Sequence, residues 1–529
     1  MEAAAEDSGI LSGVTLYLIL GAFTAGVYVI YNALTSQESW EKYGVKQAKM
    51  GLVNLADGFA KLFEDQGDTF GISHGHMLLV TRDLALLREI MVKDFSNFGD
   101  RLGLINTRSV IAKGLFFLTG HDWKRIRQIV SPSFSTSKLK HMSKTVEERA
   151  IKLTQVLEDY ARQGKLLPVK DIAGQYTSEI IARTAFGFNT HSLGGPDDEF
   201  TSYSKNMIKD RGSIMSKLML VFLRFDAFHK FCVKTLKIKV LDGFREDAEV
   251  YFKTILKRSL EERKEMEMKG EKVPQDFLQS LIQAKAAGDR GELVENTDDI
   301  DDEMSRNSVG FDKQPKTMST EELMGQSVLV IFAGFETTST ALQMCLYLLA
   351  KHKDIQDKMY DEIERVVQGE TPTYEELHQL TYIEQVINET LRLYPPAPIM
   401  SRRAAHTKTY GHVTIPKGAG VIIPIFAVLT DPKHYPDPEK FDPERFSEEN
   451  KAKRDPMAFM PFGYGPRICI GMRLALLEMK IALATLLRKV RVELSEETEP
   501  KKGEDVVVRA EAIMKTEKPV KLAVKLRSE

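Results

Sequence analysis

The sequence predicts a mainly α-helical protein with a minor β portion, preceded by one N-terminal transmembrane helix. Three observations carry that expectation. Helical periodicity dominates from about residue 139 onward. Strand-like runs are few and short, and residues 8–37 carry no charge at all.

The uncharged stretch comes first along the chain. Ile10–Leu34 (ILSGVTLYLILGAFTAGVYVIYNAL) is mostly apolar. As a helix it reaches roughly 37 Å, enough to span a bilayer with some tilt. Tyr17, Tyr28 and Tyr31 suit interfacial positions. The other readings are a buried core helix and a cleaved signal peptide. Against the latter, Glu2, Glu6 and Asp7 stand where a basic start belongs, and the apolar run is too long. Lys42, Lys46 and Lys49 follow the span and no Lys or Arg precedes it. The rule that positive flanks stay inside then puts residues 38–529 in the cytosol. The expected organisation is a short lumenal N-terminus (1–9), an anchor (10–34), a linker (35–55) and one large domain (56–529).

Composition narrows the rest. A chain of 529 residues with 43% hydrophobic and 28% charged residues can bury a large core. A formal net charge of -2 gives no global pull toward nucleic acid. Three scattered cysteines (Cys232, Cys345, Cys469) cannot form a disulfide framework, and no CxxC pair suggests zinc. A reducing compartment follows.

Helical patterns cover 137–164, 171–187 and 247–270. The acidic stretch 288–318 lacks apolar periodicity for most of its length and is expected to be a mobile surface loop. Region 213–240 mixes aromatic, aliphatic and basic residues. It reads as a pair of amphipathic core helices or as a second surface dipping into the bilayer. After Met318, Ser319 and Glu322 fit a capping box, and no proline follows for some thirty residues. This predicts a helix of roughly 50 Å, apolar nearly all round and therefore central. Strand-like pieces are HMLLVT (76–81), GVIIPIF (420–426) and the terminal VVVRAEAIMK and KPVKLAVKL.

Inside the central helix lies AGFETT, Ala333 to Thr338. Small residues at Ala333 and Gly334 let something large approach the backbone, while Glu336 and Thr337 are polar groups in an apolar stretch. Burying them without partners costs several kcal/mol. The plainer reading is that Thr337 bonds back to a carbonyl one turn earlier and bends the helix. In INETLRLYPPAP (387–398), Glu389 and Arg392 share a helix face and can pair, bracketed by Ile387, Leu391 and Leu393. FDPERF (441–446) offers Arg445 as a third member. Asn388-Glu389-Thr390 spells a glycosylation sequon, but a buried cytosolic segment does not serve as one.

Cys469 sits in FMPFGYGPRICIG (459–471), ahead of the helical run GMRLALLEMKIALATLL. Glycines 463 and 465 allow a tight loop, and a helix N-terminus with Arg467 nearby favours thiolate. No Cys or His neighbour completes a zinc or iron–sulfur set. A single thiolate suffices as a ligand when a porphyrin supplies the remaining coordination.

Four ordered motifs across 123–471 together resemble the cytochrome P450 family. Phe462-x-x-Gly465-x-Arg467-x-Cys469-x-Gly471 is similar to its haem-binding signature, and Ala333-Gly334-x-Glu336-Thr337 to its oxygen-activating helix motif. Glu389-x-x-Arg392 with Pro443-Glu444-Arg445-Phe446 resembles its structural charge network, and Trp123-Lys124-Arg125-Ile126-Arg127 its WxxxR motif. The anchor and the run HDWKRIRQIVSPSFSTSKLKHM (121–142) are most similar to the microsomal, xenobiotic- and steroid-oxidising branch.

The resemblance implies a triangular helical prism with small β-sheets, haem b with Cys469 as axial thiolate, and O2 and NADPH as co-substrates. It implies that Trp123, Arg127, Arg467 and an arginine at 402 or 403 (Arg402, Arg403) contact the propionates and that Phe462 packs beside the sulphur. Glu336 and Thr337 would deliver protons to dioxygen. The pocket would draw on the segment 101–120 with Phe116 and Phe117, on Phe332 and Ala333, on Ala397 to Met400 including Ile399, and on the loop near Ala512-Ile513. The expected activity is monooxygenation of a sterol, fatty acid or xenobiotic. A haem-thiolate isomerase or dehydratase acting on a peroxide and a non-catalytic haem-binding membrane protein are the alternatives. The expected partners are an NADPH-dependent flavoprotein reductase, with a b-type cytochrome as a candidate second donor, and the endoplasmic reticulum membrane; nucleic acid is not expected. Lys124, Arg125, Lys138, Lys140, Lys453 and Lys480 would form a basic docking face. The chain departs from the family pattern in having no proline before Pro132, hence no proline-rich hinge, and in a segment 38–75 that is short for the first strands.

Overall fold

The computed structural model describes residues 39–48, 55–73, 77–102, 108–208, 243–290, 317–510 and 513–527. The anchor 10–34, region 213–240, Ala512 and most of the acidic loop 288–318 lie outside these residues.

Among the described residues, ten helices of ten residues or more build the body. They are α1 (Leu55–Gln66), α2 (Gly120–Val130), α3 (Thr136–Gln163), α4 (Val169–Phe186), α5 (Glu246–Lys269), α6 (Phe277–Asp289), α7 (Thr320–Lys351), α8 (Lys353–Val366), α9 (Thr381–Leu393) and α10 (Met472–Leu486). The three helical patterns read from sequence reappear as α3, α4 and α5 within two residues at each end, and each stops one residue before a glycine.

Helix α7 is the axis. Its start is fixed by the expected capping box: the Glu322 amide donates to Ser319 Oγ (3.1 Å) and the Ser319 amide to Glu322 Oε2 (2.8 Å). Length and composition alone would let α7 cross a membrane, but most of it is buried in the protein core. Helix α4 lies close against it. A Cβ on Gly174 would meet the Phe335 ring at 3.2 Å, and one on Gly334 would meet Ile181 Cδ1 at 2.5 Å. Gly334 is therefore small to admit α4, which is the large neighbour its motif leaves room for. Tyr176 of α4 donates its hydroxyl to the Glu478 carbonyl of α10 (3.0 Å), so α4, α7 and α10 share one core.

The β portion is small and discontinuous in sequence. A five-stranded sheet runs β1-β2-β3-β8-β5, from β1 (Gln47–Ala48), β2 (Thr69–Ser73), β3 (Met77–Thr81), β5 (Ile399–Arg403) and β8 (Gly420–Pro424), with the short β4 (Leu167–Pro168), β6 (Lys408–Tyr410) and β7 (Val413–Ile415) outside it. Strand β8 pairs parallel with β3 and antiparallel with β5, which places Ile399 to Arg403 beside the N-terminal sheet. The segment 38–75, short as it is, supplies two of these strands. The C-terminal pieces also form: Val508–Ala510 pairs with Met514–Thr516, and Lys521–Leu526 with Val490–Glu493.

Candidate functional site

The loop before α10 folds back on itself. The Gly463 amide bonds Met460 O, the Ile468 amide bonds Gly465 O, and the Cys469 amide bonds Phe462 O, each at 2.9 Å. Gly465 has φ +70° and a Cβ there would lie 2.1 Å from the Met91 carbonyl oxygen, so only glycine fits. Gly463 has φ +80° and faces the Met400 side chain, whose Cε would be 3.1 Å from an added Cβ. The sulphur of Cys469 accepts the amides of Gly471 and Met472, where α10 begins. Cys469 is exposed by surface area, yet protein surrounds it densely enough that burial pushes its thiol pKa up. Both hold when the residue faces an internal cavity. Against burial act the two amides and the charges of Arg127 and Arg101. Arg467, assigned that role from sequence, turns elsewhere.

Arg467 donates from Nε to Gly99 O (2.6 Å) and from Nη2 to Leu118 O (2.8 Å), and its guanidinium lies 4.4 Å from the Trp123 ring centre. Burial and its neighbours Arg402 and Arg127 bring its pKa down to about 9, with Asp100 opposing. Arg402, fully buried on β5, is brought to about 10 by burial. Arg101 is pushed down by burial and by Arg402, Arg467 and Arg127. The structure thus gathers Arg101, Arg127, Arg402 and Arg467 around one space together with Trp123 and Cys469. The Asp100 carboxylate approaches Arg467 only to 3.8 Å. Arg467 Nη1 and Arg402 Nε and Nη2 are buried without a hydrogen-bond partner. An unpaired buried cation costs several kcal/mol, and donors in this number suit two carboxylates at the edge of one ligand. Arg403, next on the strand, gives its backbone amide to Asp100 O (2.8 Å).

The cavity shows on α7 as well. Ala333 is exposed in mid-helix, flanked by half-buried Leu329, Val330, Phe332, Gly334, Glu336 and Thr337. Thr337 Oγ1 donates to Ala333 O (2.8 Å), as the plainer reading of its hydroxyl expected, which leaves its lone pairs to accept. Glu336 pairs with Lys170 of α4 (Nζ to Oε1 3.1 Å). Phe117 and Phe332 stand edge-on to the same Phe244 ring, at 6.3 and 6.1 Å. Phe116 contacts Phe117 at 5.1 Å, and Arg101 covers the Phe116 ring at 4.0 Å. Phe332 and Phe462 pack on one hydrophobic cluster. Ala397 and Ile399 are half-buried, and Pro396 O accepts the Met514 amide (2.9 Å), which ties that segment to the C-terminal hairpin.

Glu389, Arg392 and Arg445 form one network away from this cavity. The basic residues assigned to docking divide. Arg125 is bound within the chain to Asp122 (2.9 Å) and Glu322 (2.5 Å), and Lys480 to Glu384 (2.6 Å). Lys140 and Lys453 also pair, at the surface, with Glu375 and Glu449. Sequence reasoning missed Lys170, and it named Met400 and the segment that begins at Arg101 only for the pocket, not for the Cys469 loop or the arginine cluster. None belongs to a local motif, and only tertiary contact brings them in.

Comparison with known proteins agrees with this geometry. The family model described as Cytochrome P450 matches residues 45–524. Mouse "Cytochrome P450 3A41" is 34% identical over 466 residues, covering 87% of this chain and 85% of its own length. Rat "Cytochrome P450 3A9" is 36% identical over 468 residues, covering 88% and 86%. Pig "Cytochrome P450 3A29" is 34% identical over 468 residues, with the same coverage. Such a chain is a haem-thiolate monooxygenase, inserting one atom of O2 into lipophilic organic compounds with electrons from NADPH. The donor set fits that cofactor: one cysteine sulphur, and a guanidinium cluster in which Arg402 Nε and Nη2 and Arg467 Nη1 are buried without an acceptor. The chain belongs to the cytochrome P450 family.

Proposed function

We propose that Cys469 is the thiolate that holds the haem iron and that Arg101, Arg127, Arg402 and Arg467, with Trp123, hold the two propionates. One observation carries this: the guanidinium cluster beside Cys469 has buried N–H groups with no acceptor. Arg402 is preferred to Arg403 because adjacent strand residues point to opposite faces and Arg402 is the one beside Arg467. Haem, when bound, supplies oxygen activation and electron-transfer chemistry. The remaining work falls to side chains. Phe462 packs beside the sulphur, and Thr337 presents a hydroxyl to the cavity. Glu336 holds and passes protons from its place behind that hydroxyl. Phe116, Phe117, Phe332, Ala333, Ala397 and Ile399 form an apolar wall that orders a substrate by burial rather than by polar contacts.

A flavoprotein reductase is the electron donor, and a b-type cytochrome a second one. Lys124, Lys138, Lys140 and Lys453 offer it a basic surface, the last two through exposed, solvent-screened pairs with Glu375 and Glu449, whereas Arg125 and Lys480 are held in largely buried ion pairs. Residues 10–34 anchor the enzyme in the endoplasmic reticulum membrane with the catalytic domain, 56–529, in the cytosol. Steroids or xenobiotics are the substrates this wall suits. The reduced protein under carbon monoxide tests the core of this reading. The parent should give the strongly red-shifted thiolate Soret band and Cys469→Ala should lose it; a band that survives in the variant overturns the assignment. Product oxygen labelled from O2 then separates a monooxygenase from a peroxide isomerase.

A further inference from the structure

Phe116 and Phe117 stand near the end of a short shelf, Val110 to Leu118, that lies directly on α7. Two glycines let the backbones touch. A Cβ on Gly114 would meet Leu329 Cβ at 2.9 Å and Gly325 O at 3.0 Å, and one on Gly325 would meet Lys113 Cβ and Val110 O at 2.8 Å. Gln326 fastens the contact. It is buried (1% exposed), its side-chain nitrogen donates to Lys113 O (2.7 Å) and Glu322 O (3.2 Å), and its Oε1 accepts the Leu115 amide (2.8 Å). Between these two points the shelf bonds to itself: the Gly114 amide donates to Ile111 O (2.8 Å), and the Gly114 carbonyl accepts the Phe117 amide (2.9 Å). Gln326 thus serves the carbonyl and the amide on either side of Gly114. That takes a donor and an acceptor on one side chain, which a carboxylate does not offer and which asparagine carries one methylene short. Other elements hold the ends of the shelf. Val110 gives its amide to Glu249 of α5 (3.0 Å), and Leu118 O accepts from Arg467 (2.8 Å). Gln326 and Ala333 are seven residues apart, so they share a stripe of α7 at about 10 Å along its axis. The clamp therefore sits on the face that opens on the cavity, two turns before the opening. Beyond the clamp the shelf leaves the core: Leu115 is buried, whereas Phe116 is 48% exposed.

We propose that Gln326 is a positioning residue for substrate selection: by holding Lys113 and Leu115 on α7 it fixes where Phe116 and Phe117 stand relative to Phe332 and Ala333, and with that the shape of ligand the cavity takes. This rests on the reading of that cavity as the substrate site. A phenyl ring has no polar group to fix its own place, so the backbone that carries it must do so. A buried carbonyl and amide left without partners are costly. Without the Gln326 amide, Lys113 and Leu115 turn toward water, and the two rings move off α7 with them. Apolar ligands large enough to lean on those rings then lose a wall, and ligands too small to reach them lose nothing.

The test titrates the full-length, haem-loaded enzyme with imidazole and with 1-phenylimidazole and follows the Soret shift of each. Both bind through the same ring nitrogen, and only the second carries an apolar group to the wall. Gln326→Leu should bind 1-phenylimidazole about tenfold more weakly, the low end of what one misplaced apolar contact costs a pocket, and imidazole as the parent does. Gln326→Glu, which keeps the acceptor for Leu115 and loses the donor for Lys113, should fall between. A matched control is Gln356 of α8, a buried glutamine likewise spent on backbone. It donates to Leu349 O (2.9 Å) and Val492 O (3.0 Å) and accepts the Val492 amide (3.0 Å), away from the wall. Gln356→Leu should weaken the fold and leave both affinities alone. Hydrogen exchange of the haem-free chain reads the clamp without any ligand: residues 110–118 should exchange faster in Gln326→Leu and not in Gln356→Leu. Where Gln326→Leu does not fold, Gly325→Ala decides by the same readouts, since its Cβ pushes Lys113 off α7 with the clamp intact. Unchanged 1-phenylimidazole affinity in the variant that folds, or an equal loss in Gln356→Leu, would overturn the inference. A parent that binds carbon monoxide as a haem-thiolate protein but shifts with neither imidazole removes the reading of the cavity, and this inference with it.

Discussion

Glu389 and Arg392, one turn apart on α9, form a two-point ion pair from which solvent is excluded. Arg392 Nε and Nη2 meet the two carboxylate oxygens at 2.6 and 2.8 Å, and both side chains are 0% exposed. The same carboxylate takes the Asp442 amide (2.9 Å) and stands 3.4 Å from Arg445 Nε, while Arg392 also donates to Leu429 O and Lys440 O. The pair thus gathers residues 429–445 onto α9. From there Tyr435 reaches the Ala458 carbonyl (3.1 Å), immediately before the Cys469 loop.

Breaking this pair from one side leaves a charge buried and alone. Burial already raises the Glu389 carboxyl pKa, with Arg392 as the chief opposing influence. Arg392→Ala should therefore cost about 3–5 kcal/mol of stability and loosen the segment that leads into the Cys469 loop. Denaturant unfolding measures the first effect. Loss of the thiolate Soret band at equal expression measures the second, and a variant within 1 kcal/mol of the parent, about the worth of an exposed pair, would show that the network is dispensable.

What was legible in the sequence was local. The Ser319–Glu322 box, the i,i+3 pair at Glu389 and the Gly-rich approach to Cys469 each lie within a few residues, so spacing alone reveals them. The arginine cluster is different. Arg101, Arg127, Arg402 and Arg467 come from four separated segments, and β5 reaches its place only through pairing with β8. Two adjacent arginines at 402 and 403 could not be told apart before the strand was known, since the pleat sends them to opposite faces. Gly334 is a similar case. Its motif leaves room at the backbone for something large, and only the packing of α4 shows that Ile181 takes that room.

Gly465→Ala tests the loop without touching the ligand. A left-handed non-glycine residue costs about 1–3 kcal/mol, and here the new Cβ also collides with the Met91 carbonyl at 2.1 Å. The loop must shift as a body, and Cys469 with it. Thermal unfolding should drop, and the carbon monoxide spectrum of the reduced protein should lose its thiolate band in part or whole. An unshifted spectrum at full haem content would mean that Met91 gives way instead.

The start of α7 should respond to acid. Burial alone would raise the Glu322 carboxyl, but Arg125 and the Ser319 amide outweigh it and hold it below 4.5. A carboxyl depressed in the folded state contributes stability that is whole above its unfolded pKa and is lost as pH falls through the folded one. Glu322→Gln keeps a capping side chain and removes the charge. At neutral pH the variant should be less stable by about 1.5 kcal/mol, the lower figure for a charged hydrogen bond. The gap should close as pH falls below 4.5. A gap constant from neutral pH into that acid range would place the effect in the cap and not in the charge.

Arg402→Leu separates holding haem from holding the fold, because the two should change in opposite directions. Arg402 is fully buried beside Arg467 and Arg101, and two of its nitrogens find no partner within the chain. Replacing such a charge with an apolar side chain is often neutral or stabilising by about 1–4 kcal/mol. The haem-free variant should therefore unfold at the same or a higher denaturant concentration than its parent. With haem bound, the same change removes charge-assisted hydrogen bonds to a propionate, about 1.5–3 kcal/mol, or roughly ten- to hundredfold in haem retention. Haem transfer to an acceptor protein measures that loss directly. Lower stability without haem, together with unchanged haem transfer, would make Arg402 a structural residue and remove it from the propionate site.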